Sequence, residues 1–72
     1  MKTFMIYKHI GDLSKPNNGW KKELNIISWE NREPVYDIRT WNETHTEYGE
    51  GVTITARQMA VLKELINKIT VF

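Results

Sequence analysis

"WKKELNIIS" at residues 20–28, "ENREP" at 30–34 and "VYDIRTW" at 35–41 decide how this chain folds. The first and third segments alternate with the period of a β-strand, and the middle one is rich in turn formers, with Pro34 suited to the first position of a strand. In the first segment Lys22, Leu24, Ile26 and Ser28 share one side, and Lys21, Glu23, Asn25, Ile27 and Trp29 share the other. In the third, Tyr36, Ile38 and Thr40 oppose Val35, Asp37, Arg39 and Trp41. A hairpin follows. The window from Gly19 to Trp41 also holds all three tryptophans of the chain and four of its ten basic residues, Lys21, Lys22, Arg32 and Arg39.

Working outward, "FMIYKHI" at 4–10 reads as a first strand and "GDLSKPNNG" at 11–19 as a loop. Beyond the hairpin, "NETHTEYGEG" at 42–51 reads as a polar loop whose glycines, Gly49 and Gly51, serve the turn into a short strand, "VTIT" at 52–55. Thr55 followed by Gln58 forms a capping box, so a helix is expected to start there. Met59, Leu62, Leu65, Ile66 and Ile69 then recur at helical spacing as one apolar stripe. The expected order is four antiparallel strands and one C-terminal helix, an α+β (ββββα) domain over residues 1–72.

One helix covers one face of such a sheet. The residues expected beneath it are Leu24, Ile26, Tyr36 and Ile38. The opposite face, with Asn25, Ile27, Trp29, Asp37, Arg39 and Trp41, is then expected to be open, with Lys21, Lys22 and Arg32 near its rim. Asp37 beside Arg39 reads either as a group that orients the guanidinium or as an ordinary cross-strand charge pair.

Composition sets the limits. A chain of 72 residues forms a thin core that commonly needs a disulfide, a metal or a second subunit. Cysteine is absent and there are two histidines, His9 and His45, so self-association is the expected support. Surplus apolar residues near the C-terminus, Ile69, Val71 and Phe72, suit such an interface. His45 with Glu43 and Glu47 has metal-ligand residue types, but one histidine without fixed geometry reads as a polar loop. The N-terminal apolar run is too short and interrupted for a signal peptide or a membrane span, and a cytoplasmic protein is expected, nucleoid-associated or phage-encoded in a bacterial host. Nothing reads as catalytic: no cysteine nucleophile, no phosphate-binding glycine loop, and no base beside Ser14 or Ser28. No cofactor or metal is expected.

Aromatic rings among Lys and Arg on a sheet suit single-stranded nucleic acid, whose unpaired bases stack on rings while cations neutralise the phosphates. Against this stand the near-neutral net charge of +1, the frequency of aromatic residues in strands generally, and Glu23, Glu30, Glu33 and Asp37 in the same region. The same face also fits a protein-interaction module, with the tryptophans as anchors for a polymerase or transcription factor. RNA binding uses the same physics as DNA binding.

The string "GWKKELNIISWENREPVYDIRTW", followed by "GEGVTIT" and a helix carrying "VLKELI", resembles the PC4 (transcriptional coactivator p15) family, closest to its bacterial YdbC-like branch. The resemblance covers residues 19–69. It implies a ββββα protomer that forms a homodimer and binds single-stranded DNA with little sequence preference across the curved sheets. It places Trp29 at the family's aromatic position ending the second strand. Arg39 falls on the arginine of its "DIR" element, Trp41 on the aromatic that follows, and Lys21 and Lys22 on basic positions of the preceding strand. Trp20 and Arg32 match less closely, and Asn25 is added from its side of the strand. The long Ser- and Lys-rich N-terminal tail of the eukaryotic members has no counterpart, so only the binding core is implied.

Overall fold

The computed structural model describes residues 3–71. Phe72, expected near a subunit interface, lies outside the described residues. Strands β1 (Phe4–Asp12), β2 (Trp20–Trp29), β3 (Val35–Asn42) and β4 (Tyr48–Ile54) precede helix α1 (Ala56–Asn67). They form one antiparallel sheet in the order β1-β2-β3-β4, as expected.

Local chemistry explains the joints. Between β1 and β2, Asn18 and Gly19 both adopt positive φ (53° and 81°), and Asn17 and Trp20 exchange backbone hydrogen bonds of 2.7 and 3.0 Å. This is the Asn-Gly turn that matches the twist of paired strands. Between β2 and β3, Glu30 and Asn31 take positive φ (51° and 61°), and the Arg32 amide donates to the Trp29 carbonyl at 2.9 Å. The Ser28 hydroxyl donates to the Arg32 carbonyl at 2.6 Å, tying the turn to the strand. At the helix, Thr55 Oγ1 accepts from the Gln58 amide (3.1 Å) and Gln58 Oε1 accepts from the Thr55 amide (3.0 Å), the reciprocal box expected.

β4 begins earlier than expected. Gly49 and Gly51 lie inside the strand rather than in a turn leading to it. Gly51 pairs with Arg39, and a Cβ there would collide with Arg39 and the Ile38 carbonyl; one on Gly49 would collide with the Thr40 hydroxyl. These glycines permit close approach of β4 to β3, beside an irregularity in the pairing between Arg39 and Trp41.

The sheet curls strongly. Trp41 pairs across the ladder with Lys21, eight residues before Trp29 on β2. In a flat sheet that offset spans about 26 Å. The two indole centroids are 6.4 Å apart and nearly parallel (12°). Phe4 on one edge strand and Tyr48 on the other also meet, at 5.9 Å, where three flat strand spacings would give about 14 Å. Register shifts in β1, between Ile6 and Lys8 and between His9 and Gly11, accompany the curl.

That curl reverses the expected assignment of faces. The side expected to be open holds the buried residues: Glu23, Asn25, Ile27, Asp37 and Trp41 are each at most 1 % exposed. Leu24, Ile26, Tyr36 and Ile38, expected to form the core, are only half-buried. Helix α1 packs against β3 but contributes no buried residue. Met59 and Leu62 of its stripe are half-buried, whereas Leu65, Ile66 and Ile69 are exposed. A short helix covers less of its face than a coiled sheet covers of its own concave side.

Candidate nucleic-acid interface

The concave side is built around four aromatic rings. Phe4 lies 5.0 Å from Trp41 and 5.8 Å from Trp29, and Tyr48 lies 5.1 Å from Trp29 and 5.5 Å from Trp41. Trp41 is fully buried among them, and its Nε1 has no hydrogen-bond partner among the described residues. It offers no face to a base in this arrangement. Trp29 and Tyr48 remain partly exposed.

Arg39 is locked against both accessible rings. Its Nε donates to both Asp37 carboxylate oxygens (2.8 and 3.0 Å), and its Nη1 donates to the Gly49 carbonyl at 3.2 Å. Its Cζ lies 4.8 Å from the Trp29 ring centroid and 5.7 Å from that of Tyr48, within cation–π range. Trp29 Nε1 donates to the second Asp37 oxygen at 3.3 Å. One buried carboxylate therefore holds both an indole and a guanidinium, more than a simple charge pair would.

Beside these groups opens a groove of about 750 Å³, in the range of small-ligand sites. Its lining includes Trp29, Tyr48, Arg39, Val35 and Thr53, with Arg32 from the β2–β3 turn. Glu30 and Glu33 share that turn, so the rim is mixed in charge. Arg32 has a side chain 75 % exposed and only a loose 3.7 Å pair with Glu30.

A polar network occupies the rest of the concave side. Glu23 accepts from Asn25 Nδ2 (3.1 Å) and lies 2.9 and 3.0 Å from His45 Nε2. Asn25 Oδ1 lies 2.7 Å from His9 Nδ1. His45, at φ 58°, stacks its ring near Trp41 at 5.4 Å. It belongs to this network rather than to a free loop. Lys21 Nζ lies 3.0 Å from Asp12 and 4.0 Å from Glu23. That hydrogen bond holds the Asp12 carboxyl below its ordinary range and the Lys21 ammonium above its own. His9, Asp12 and Glu23 have ligand atoms within 4.8 Å of one another, a spacing compatible with a metal ion, but the ammonium of Lys21 already sits 3.0 Å from Asp12 and 4.0 Å from Glu23.

The eight residues singled out from the sequence thus fall into separate settings. Trp29, Arg39 and Arg32 line the groove. Lys21 lies on the same side of β2, paired to Asp12. Asn25 and Trp41 are buried beneath. Trp20 and Lys22 alternate onto the opposite side with Leu24 and Ile26. Tyr48, Phe4 and Glu23 were missed. For Tyr48 a signal existed, an aromatic directly before the "GEG" of β4; for buried Glu23 the residue type argued the other way.

A family profile described as Transcriptional Coactivator p15 (PC4) matches residues 16–65, a span that contains Trp29, Arg39 and Tyr48. An uncharacterized protein of Treponema pallidum (strain Nichols) is 37 % identical over 67 residues, covering 93 % of this chain and 79 % of its own length.

Proposed function

The chain belongs to the PC4 family, and from that premise we propose that it binds single-stranded DNA with little sequence preference, as a homodimer of the YdbC-like branch. The observation that carries this reading is the groove within the matched segment, where Trp29 and Tyr48 offer partly exposed rings beside a fixed cation. Bases stack on these rings, and Arg32, with Lys21 once released from Asp12, neutralises phosphates. A duplex hides its base faces and fits such a groove poorly. RNA is bound by the same contacts unless a 2′-hydroxyl obstructs it. No catalytic step is assigned.

The second subunit is assigned to the helix side. Val61, Leu65, Ile66 and Ile69 are 47–63 % exposed, and Val52 on β4 is also exposed. Large apolar side chains left exposed in this number suit an interface. The same observation favours the second reading, a protein-interaction module that docks transcription or replication machinery there. We take the chain as a single binding domain of the bacterial cytoplasm, acting where strands are exposed in transcription, replication or repair.

The test is tryptophan fluorescence titrated with oligo-dT of about 20 nucleotides, at low and moderate salt, beside an equal-length duplex. Quenching by the single strand alone, weakened by salt and abolished in Trp29→Phe, is the expected outcome. No response to either ligand sinks the binding reading. Light scattering at the same concentrations reads the dimer.

A further inference from the structure

Arg39 has the residue type of a phosphate ligand but not the setting of one. Its Nε is bound to both oxygens of a fully buried carboxylate, its Nη1 to the Gly49 carbonyl, and its side chain is only 13 % exposed. Its charge is matched by Asp37 at 2.8 Å. The Nη hydrogens left over could still meet a phosphate, but the charge there is already balanced by Asp37, so an anion gains less at Arg39 than at a cation in water. What the guanidinium does offer is position, since it lies over Trp29 and near Tyr48 while Asp37 also holds the Trp29 N–H.

We propose that Asp37 and Arg39 form a bracket that sets Trp29 and Tyr48 at the orientation a nucleobase needs, and that Arg39 itself neutralises no phosphate. This rests on the single-strand binding reading above and deepens it. Asp37 and Arg39 are positioning residues acting through the two rings. The backbone-binding cations are Arg32, in the groove's lining and only loosely paired with Glu30, and Lys21, farther along the same side of β2, which must leave Asp12. Lys22, on the opposite side of β2, is not among them.

The experiment compares oligo-dT with an abasic oligomer of the same length and charge, across a salt series, for the wild type, Asp37→Asn and Arg32→Ala. The wild type is expected to prefer oligo-dT. Asp37→Asn, which keeps the side chain's size, is expected to lose about tenfold on oligo-dT, the scale of one stacked base, and nothing on the abasic strand. Its salt slope stays that of the wild type. Arg32→Ala is expected to weaken both ligands and flatten the slope by about 0.7.

If Asp37→Asn instead binds both ligands more tightly, Arg39 is a phosphate ligand and the proposal is overturned. If it weakens both equally, Asp37 is merely structural and the bracket is likewise overturned. A wild type that binds both strands equally removes the base platform but leaves strand binding intact, whereas a wild type that binds neither removes the binding reading itself. The Arg39 Nε–H resonance of the wild type gives a readout that needs no variant. Its protection is expected to persist with the abasic strand bound, and its exposure on binding would overturn the assignment.

Discussion

The two sides of this sheet have exchanged the properties that composition would assign them. The concave side is rich in Glu23, Asn25, Asp37 and Arg39, yet it is the packed interior. The helix side is lined with Leu, Ile and Val, yet it is half open. A polar interior is tolerable because its members partner one another: Glu23 with His45 and Asn25, Asn25 with His9, Asp37 with Arg39 and Trp29. An open apolar side is tolerable when a second subunit covers it. Burial here follows curvature, which brings side chains together on one side of a sheet whatever their polarity.

Removing the concave centre has the largest expected effect. Trp41→Ala is expected to cost about 3–5 kcal/mol, the range for a buried large aromatic. For a domain of this size that leaves little or no folded population in urea titrations. Trp41→Phe is the informative partner. The Trp41 N–H is buried without a partner among the described residues, so replacing the indole forfeits volume but also removes an unsatisfied donor. The expected loss is then well below that of the alanine variant. A phenylalanine variant as unstable as the alanine one would mean that the indole N–H is bonded in solution.

The helix side gives the next largest effect. If the proposed homodimer forms through this side, Leu65→Lys with Ile66→Lys weakens it at least about 30-fold, since buried anchors of an interface each contribute about 2 kcal/mol or more. Both positions are exposed in the protomer, so its own packing loses little. Sedimentation across a dilution series reads the shift from dimer to monomer. An unchanged oligomeric state would assign this apolar surface to another protein.

Most of the architecture was legible because its signals are local. The alternation of residues 20–28 and 35–41 and the Thr55–Gln58 box depend on near neighbours and appear as expected, whereas of the helical stripe only Met59 and Leu62 are half-buried and Ile69 lies beyond the helix. The inside of the sheet was not legible. Alternation sorts side chains into two sets, and which set is interior depends on contacts such as Phe4 with Trp41 and Trp29 with Asp37, made by curling rather than by sequence spacing. Glycines 49 and 51 were misread for the same reason, since their need arises across the ladder at Thr40 and Arg39. Of the groove's lining, Trp29, Arg32 and Arg39 stand out by residue type and resemblance, while Tyr48 lies in what reads as a loop.

A smaller effect sharpens the account of the polar interior. Glu23→Gln keeps the shape but removes the charge that faces His45, and is expected to cost about 1–3 kcal/mol, as for a buried partner left incompletely satisfied. On the helix, Arg57→Ala is expected to change stability by no more than about 0.5 kcal/mol, because it is exposed and unpaired among the described residues. Denaturant midpoints of the two variants measure the contrast. Equal effects would mean that the Glu23 network is as dispensable as surface charge.

The smallest expected effect lies in the Asp12–Lys21 pair, where folding and binding pull in opposite directions. Asp12 sits below its ordinary value of 3.8, so what it adds to stability is present above that pH and lost as pH falls through its folded value. Lys21 sits above its ordinary 10.5, so its share is present below that pH and lost as pH rises through its folded value. Across neutral pH the pair is fully formed, and stability is flat with respect to it. Because Asp12 is exposed and Lys21 only half-buried, breaking it removes little from the fold. It does release an ammonium on the concave side and remove one negative charge from the path of a phosphate chain. Asp12→Asn is therefore expected to tighten oligo-dT binding about three-fold at low salt, with a steeper salt slope, and the gain should fade as ionic strength rises. Lys22→Ala, on the opposite side of the same strand, is the matched control and should leave the slope unchanged. If Asp12→Asn weakened binding while Lys22→Ala flattened the slope, the strand would run along the helix side, and the division of labour between the two faces would have to be reversed.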